Sequence, residues 1–257
     1  MTETPAFADW PAPAPGAAPL RRMVGAQAGL ELRTLLRNGE QLLLTLIIPA
    51  LLLLALVSVG KQHTGFVVPG ILALAVMSSA FTSLAIGTGF ERRYGVLKRL
   101  GAAPLSRRGL ILAKTAAVLT VELLQVIVIV IVGLALGWRP HGLPAAVLWS
   151  LLLIVAGTAA FAGLALLLAG TLRAEATLAA ANLLYLVLLG LGGVVFPLTK
   201  FPSSVRPALR LLPAGALSDG LRSVLTAGSG LPVRDLLVLV AWGIAGIALA
   251  ARFFRWE

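Results

Sequence analysis

Three polar side chains that could take part in chemistry interrupt long apolar stretches of the chain, and they are Glu122, Gln125 and Asn182. An ionisable group in so apolar a setting is costly, so Glu122 is a functional candidate by default. Because Glu122 follows Lys114 by about two helical turns, pairing with a neighbour or facing a cavity is favoured over binding a substrate. Asn182 is predicted to bridge helices.

A second informative group of residues lies between Glu91 and Lys114. Its apolar members fall three residues apart and form one stripe, and charged residues occupy the other positions. The stripe is Tyr94, Leu97 and Leu100, and the charged residues are Glu91, Arg92, Arg93, Lys98 and Arg99. Pro104 then stops the helix and Ser106 can cap the next one. The pattern predicts a short amphipathic helix at the cytoplasmic membrane surface. The alternative is a basic loop that only sets topology.

Several kinds of catalytic site are missing from the sequence. It has no cysteine, so it has neither a thiolate metal site nor a cysteine nucleophile. The P-loop pattern G-x-x-x-x-G-K-[ST], the zinc motif H-E-x-x-H and the hydrolase motif G-x-S-x-G are all absent. We therefore predict no catalytic residue, no metal site and no cofactor in this chain, and any use of ATP requires a partner.

The composition defines the class of protein that must position these residues. Of 257 residues, 59% are hydrophobic and only 12% are charged. A soluble domain of this size cannot bury so much apolar side chain. Soluble enzymes, DNA-binding domains and disordered chains are therefore excluded. The net charge of +11 is assigned to loops that set topology and contact anionic lipid headgroups, not to nucleic acid.

Six apolar runs predict six transmembrane helices. They lie at about 42–60, 66–90, 115–137, 145–170, 178–196 and 236–251. Roughly 20 helical residues cross the hydrocarbon core of a bilayer. The runs are too long and too continuous for barrel strands, so the predicted fold class is an all-α polytopic membrane protein.

Lys and Arg counts predict the orientation. With the N-terminus inside, the inner segments hold 14 of these residues and the outer loops hold 7. Both termini are therefore expected in the cytoplasm. Residues 1–19 are predicted to be a disordered cytoplasmic tail, and 20–257 to be the transmembrane domain. Its first part, 20–40, has the mixed pattern of a helix that lies along the membrane interface, although an ordinary charged flank is the alternative.

The segment between spans five and six predicts an outer helical hairpin. Prolines at 197, 202, 207 and 213 rule out one long helix. Leu217, Leu221 and Leu225 share one helical face. Structureless loops of this length are uncommon in compact proteins, so two short amphipathic helices are favoured over a long loop.

The order of residues after span two resembles the ABC-2 family of transporter permeases. That family has an ER-x-x-G-x-L-x-x-L-x-A-x-P-L-S run followed by Lys. The matching residues here are Glu91, Arg92, Gly95, Leu97, Leu100, Ala102, Pro104, Leu105, Ser106 and Lys114. A GG-x-x-x-P run at 192–197 and an LP-x₇-LR run at 212–222 also match. The resemblance implies that Glu91–Leu100 is a coupling helix, which docks into a groove of a separate ATPase subunit that binds ATP and Mg²⁺.

The function predicted from this resemblance is that of a permease subunit in an ATP-driven exporter of the bacterial cytoplasmic membrane. Its cargo would be a hydrophobic or amphipathic compound such as a drug, natural product or lipid. Its partners would be cytoplasmic ABC ATPase subunits, membrane lipid and a second permease subunit, identical or related. An ion-coupled secondary transporter and a lipid-modifying membrane enzyme are the alternatives. The secondary transporter would need charges at the membrane midplane.

Overall fold

The computed structural model describes residues 18–37, 39–60, 62–96 and 106–253, and the regular structure within those ranges is entirely helical. This confirms the predicted all-α class. The helices are α1 (Leu20–Arg37), α2 (Gly39–Ser58), α3 (Thr64–Arg93), α4 (Arg107–Ala135), α5 (Ala145–Thr171), α6 (Ala174–Leu191), α7 (Arg206–Leu209), α8 (Pro213–Leu225) and α9 (Val233–Phe253). A single 3₁₀ turn at Leu198–Lys200 precedes α7 in the described chain.

Five of the described helices are long and apolar enough to cross a membrane, namely α3, α4, α5, α6 and α9. The apolar part of α2, Thr45–Ser58, is shorter than these. A helix occupies the predicted interfacial segment, but its position relative to the membrane stays a prediction. The predicted tail lies outside the described residues except for Ala18 and Pro19, and so do Leu97, Lys98, Arg99 and Leu100.

Helix α3 forms the centre of the bundle. Its residues from Val67 to Met77 are all buried, and its middle section, Met77–Ser83, has π-helical geometry. Pro69 lacks an N–H and leaves the carbonyl of Gly65 without its helical donor. The hydroxyl of Thr226 donates to that carbonyl at 2.5 Å, so a loop beyond α8 closes the gap.

Helices α5 and α9 pack closely because their facing residues are small. A Cβ atom on Gly163 would lie 2.7 Å from the backbone nitrogen of Ile247, and one on Gly246 would lie 3.1 Å from the backbone of Gly163. Only glycine permits backbones to approach so closely, as is common between helices in membranes. Helix α8 packs on both α5 and α9.

The helix ends differ from the predicted runs by a few residues. The second run was predicted to end at residue 90, but α3 continues to Arg93, so the charged residues Glu91, Arg92 and Arg93 form its last turn. The fifth run was predicted to extend to residue 196, but α6 ends at Leu191. Gly193 there adopts a φ of 68°, a conformation that glycine reaches readily, and the chain turns away from the helix axis.

Candidate functional site

Lys114 is the centre of a buried ion cluster that joins three helices. Its side chain is only 2% exposed. Its Nζ lies 2.8 Å from Oε1 of Glu31 on α1 and 2.6 Å from Oε2 of Glu91 at the end of α3. An isolated ammonium is costly to bury, and two carboxylates with good geometry offset that cost. We refer to Glu31, Glu91 and Lys114 as the lysine triad.

Helix α1 is held in place through this triad. The amide of Gln27 donates to Glu31 Oε1 at 2.9 Å, one turn earlier on the same helix. Helix α1 packs along α4, so this charged helix is tied to the bundle by the Glu31–Lys114 ion pair as well as by packing.

Arg92 and Arg93 connect the same end of α3 to the following helices. Arg92 donates to the carbonyls of Ala169 at 3.0 Å and of Leu172 at 2.5 Å. These carbonyls lie at the C-terminal end of α5, where helical acceptors lack donors and a cation is favourable. Arg93 forms an ion pair with Glu175 in the first turn of α6. The Glu-Arg-Arg sequence therefore joins α3 to α4, α5 and α6.

Tyr94 follows directly and is 69% exposed. Its ring stacks on Phe90 with centroids 6.2 Å apart, and Gly95 then turns the chain with a φ of 71°. Of the predicted coupling residues, Glu91, Arg92 and Arg93 thus contact the bundle, while Tyr94 is displayed on the surface. Leu97, Lys98, Arg99 and Leu100 lie outside the described residues.

A cavity of about 540 Å³ lies beside the lysine triad, between α1, α2, α3 and α4. All members of the triad line it. Hydroxyl groups and apolar side chains form the rest of its wall. These are Thr34, Leu35, Thr45, Ser79, Ser83, Leu84, Thr88, Phe90, Tyr94, Val96, Ala117, Val118 and Val121, and Gly87 completes the wall. The arrangement is that of a small-molecule site, mostly apolar with a few polar groups.

Gln125 is buried about one turn beyond the middle of α4 and compensates for a gap in the hydrogen bonding of α2. Pro49 has no N–H and leaves the carbonyl of Thr45 without its helical donor. The amide of Gln125 donates to that carbonyl at 2.9 Å and accepts from the hydroxyl of Ser79 at 2.8 Å. Ser79 belongs to the π-helical section of α3. The predicted polar residue therefore has a structural role that links α2, α3 and α4.

Glu122 is 1% exposed and faces α5, where it accepts a hydrogen bond from the hydroxyl of Thr158. Its other carboxylate oxygen, Oε1, is buried with no hydrogen-bond partner. Asn182 is not brought near Glu122 or Gln125, because it lies on the exposed face of α6. The three intramembrane polar residues therefore do not form one site.

Arg222 is a half-buried cation at the opposite end of α3. It lies on α8 and donates to the carbonyls of Phe66 at 3.3 Å, Gly193 at 2.6 Å and Val194 at 3.0 Å. Its guanidinium carbon is 3.9 Å from the centroid of the Phe66 ring, a cation–π contact. Burial lowers the pKa of Arg222 to about 10, so it remains charged at neutral pH. Burial likewise raises the pKa of Asp219, one turn earlier.

Glu31 and Thr88 are lining residues that the sequence patterns did not single out. Glu31 sits in a segment with charges on most faces, and no pattern marks it as the partner of Lys114. Thr88 precedes the Glu-Arg pair by less than one turn and resembles any small polar residue in an apolar run. The position of both residues beside Lys114 can be recognised only in the packed arrangement of α1, α3 and α4.

The five long apolar helices are those of a multi-pass membrane protein. A family model described as "ABC-2 family transporter protein" matches residues 59–252. The chain belongs to this family, and the resemblance found in the Glu91–Lys114 and 192–222 segments is confirmed. Membership makes it a membrane component of an ABC transporter, which is not itself the catalytic subunit, and implies association with an ABC ATPase. No curated protein matches the chain.

Proposed function

We propose that this chain is the permease subunit of an ATP-driven exporter that moves a hydrophobic or amphipathic compound out of the cell. ATP and Mg²⁺ bind to a separate cytoplasmic ATPase, and two permease subunits pair with two ATPase subunits. The protein lies in the bacterial cytoplasmic membrane with six spans and both termini inside. In this arrangement α2 is the first span and the lysine triad lies at the cytoplasmic end.

The observation that carries this proposal is the way the end of α3 is held. The exposed Tyr94 follows three consecutive residues whose side chains bind α4, α5 and α6, and Lys114 extends this set of contacts to α1. A partner that moves the segment after Arg93 therefore acts on most of the bundle through short, charge-assisted contacts. Docking of an amphipathic segment into a groove uses apolar anchors such as Tyr94.

Pairing with a second permease subunit is supported by the surface of α6. This helix exposes Leu183, Leu186 and Val187 together with the amide of Asn182. An amide that faces lipid has no hydrogen-bond partner, whereas an amide between helices finds one. A second subunit would supply that partner.

The proposal is tested by co-purification. The chain would be expressed with a P-loop ATPase encoded beside it and reconstituted into vesicles, and ATP hydrolysis would be followed with and without amphipathic compounds. We expect a stable complex and hydrolysis that rises with cargo. A chain that purifies without an ATPase and exports under a proton gradient alone would instead be a secondary transporter.

Orientation is tested separately with reporter fusions. Fusions at His141 and Ser229, near the Arg222 end, are expected to report the outside, and a fusion at Ala174 is expected to report the cytoplasm. A cytoplasmic signal at Ser229 would reverse the placement of the lysine triad and of the coupling segment.

A further inference from the structure

We propose that the cavity beside the lysine triad binds the ammonium group of an amphipathic cation. The proposed function is needed only for the further statement that the bound compound is the transported cargo. Binding itself is a property of this chain alone and can be measured without an ATPase.

The charge of the cavity wall is the first argument. Among the described lining residues, Glu31 and Glu91 are acidic and Lys114 is the only base. One ammonium cannot neutralise two carboxylates, so the wall has a net negative charge when all three are ionised. A second ammonium entering the cavity would complete the neutralisation, and in a partly buried site such a pairing is stronger than in water.

An unpartnered hydroxyl is the second argument, and it is independent of the charges. Thr88 is 1% exposed and lines the cavity, and its Oγ1 is buried without a hydrogen-bond partner. A buried polar atom without a partner is costly. The N–H of a bound ammonium can donate to this oxygen, and the carboxylate of Glu91 lies on the same helix less than one turn away.

The size and the apolar wall of the cavity indicate what the part of the ligand beyond the ammonium group is like. Its volume of about 540 Å³ falls within the range of drug-sized sites. Beyond the triad the wall is apolar, with Leu84, Val118 and Val121 among its members. It also includes the exposed residues Tyr94 and Val96, which place an entrance at the lysine end. The fit is to a compound with one cationic head and an apolar body.

Two sources can supply this chemistry, namely a soluble amphipathic amine or the ethanolamine headgroup of a lipid. The experiment uses the purified full chain in phosphatidylcholine nanodiscs at low ionic strength. The probe is dansylcadaverine, a fluorescent primary amine, and its N-acetyl derivative is the matched neutral compound. Empty nanodiscs correct for partition into lipid. We expect saturable binding of the amine and at least tenfold weaker binding of the acetylated probe.

Substitutions locate the site. Glu31→Gln and Glu91→Gln keep the shape of each side chain and remove its charge, and each is expected to weaken binding of the amine about tenfold, as loss of a charged hydrogen-bond partner does. Thr88→Val should weaken it about threefold. The matched control is Glu175→Gln, which removes a carboxylate at the same end of the bundle but outside the cavity, and it should leave the affinity unchanged.

The result is decisive even if a glutamine variant does not fold, because the two probes are compared on the unmodified chain and Thr88→Val keeps every charge. Equal binding of both probes, no saturable binding, or unchanged affinity in folded Glu31→Gln and Glu91→Gln overturns the proposal. Nanodiscs with added phosphatidylethanolamine separate the two sources. Weaker probe binding there assigns the site to the lipid amine, and unchanged binding assigns it to a soluble amphiphile. Failure of ATPase co-purification would leave these binding results intact.

Discussion

Opposite ends of α3 each hold a cation, buried at Lys114 and half-buried at Arg222, and the two cations are bound by different kinds of partner. Lys114 is paired with the carboxylates of Glu31 and Glu91. Arg222 is bound by the backbone carbonyls of Phe66, Gly193 and Val194 and by an aromatic ring. A side-chain carboxylate carries a charge and can take up a proton, whereas a backbone carbonyl is neutral and is not protonated near neutral pH.

This difference suggests that the two ends of α3 have different roles. The carbonyls at the Arg222 end belong to the start of α3 and to the turn after α6, so the guanidinium fixes where those elements meet. The planar fork of Arg suits several fixed acceptors. At the lysine end, a carboxylate of Glu31 or Glu91 can exchange Lys114 for another cation without breaking a backbone hydrogen bond. Such an exchange is what a response to an ATPase or a ligand requires.

Removal of Arg222 should have the largest effect. Arg222→Met leaves the carbonyls of Gly193 and Val194 without donors, at about 2 kcal/mol each, and loses a cation–π contact of about 1 kcal/mol. We expect a loss of about 5 kcal/mol in the free energy of unfolding in detergent. Arg222→Lys should recover only part of this, because an ammonium lacks the fork. The exposed Arg234 provides the control, since Arg234→Met should change little.

Removal of Lys114 should cost less and should be open to rescue. Lys114→Met leaves two carboxylates without a cation, and the expected loss is about 3 kcal/mol. Adding Glu91→Gln removes one of the stranded charges and should restore part of the stability, which a double-mutant cycle measures. If no second substitution at Glu31 or Glu91 restores stability, the two ends do not differ in the way described above.

Part of this comparison can be predicted from the sequence and part cannot, for physical reasons. Apolar runs revealed the spans because lipid requires them to be long and continuous. The Glu-Arg pair and Lys114 were recognisable as a pattern. The partner of Lys114 on α1 was not, because Glu31 lies more than 80 residues away along the chain and helix packing alone brings the two together.

The end of α3 differs from its prediction for a local reason. The sequence predicts that residues 91–93 belong to a separate amphipathic helix, because their charge interrupts the apolar run. In the structure these charges are satisfied by ion pairs and by the carbonyls at the end of α5, so α3 continues through them. The prolines at 49 and 69 leave gaps in helical hydrogen bonding, and those gaps explain the roles of Gln125 and Thr226.

Coupling to an ATPase should depend on the lysine end alone. Tyr94→Ala combined with Leu97→Ala removes apolar anchors, each typically worth about 2 kcal/mol of binding energy. Because Tyr94 is exposed in the isolated chain, the variant should fold and insert normally but lose co-purification and stimulated ATP hydrolysis. Leu211→Ala removes an exposed apolar side chain near the other end and serves as the control. Normal binding and export by the double variant would reduce the segment to a loop that sets topology.

Glu122 lies between the two ends and should have a smaller effect on stability. Thr158 donates to Glu122 but also lies 2.8 Å from the carbonyl of Ile154, so its hydroxyl keeps an acceptor after substitution. Glu122→Gln should be tolerated, and Glu122→Leu should change the free energy of unfolding by no more than about 1 kcal/mol. Transport or assembly should nevertheless be altered in Glu122→Leu. Unchanged expression and export in that variant would remove Glu122 from the list of functional residues.

The smallest effect is expected at the pair of Arg93 and Glu175, which joins α3 to α6 at the lysine end but lies in the open. Both side chains are more than half exposed. Exposed ion pairs contribute little to stability and weaken as salt screens them. Glu175→Gln should therefore lower stability only slightly at low ionic strength and by almost nothing at about 1 M salt, where the Debye length is about 3 Å. Lys114→Met, by contrast, should keep most of its effect in salt, because buried pairs are screened far less.

An equal salt dependence for the two substitutions would show that the lysine triad is as open to water as the surface pair. The two ends of α3 would then differ only in the type of partner that binds each cation.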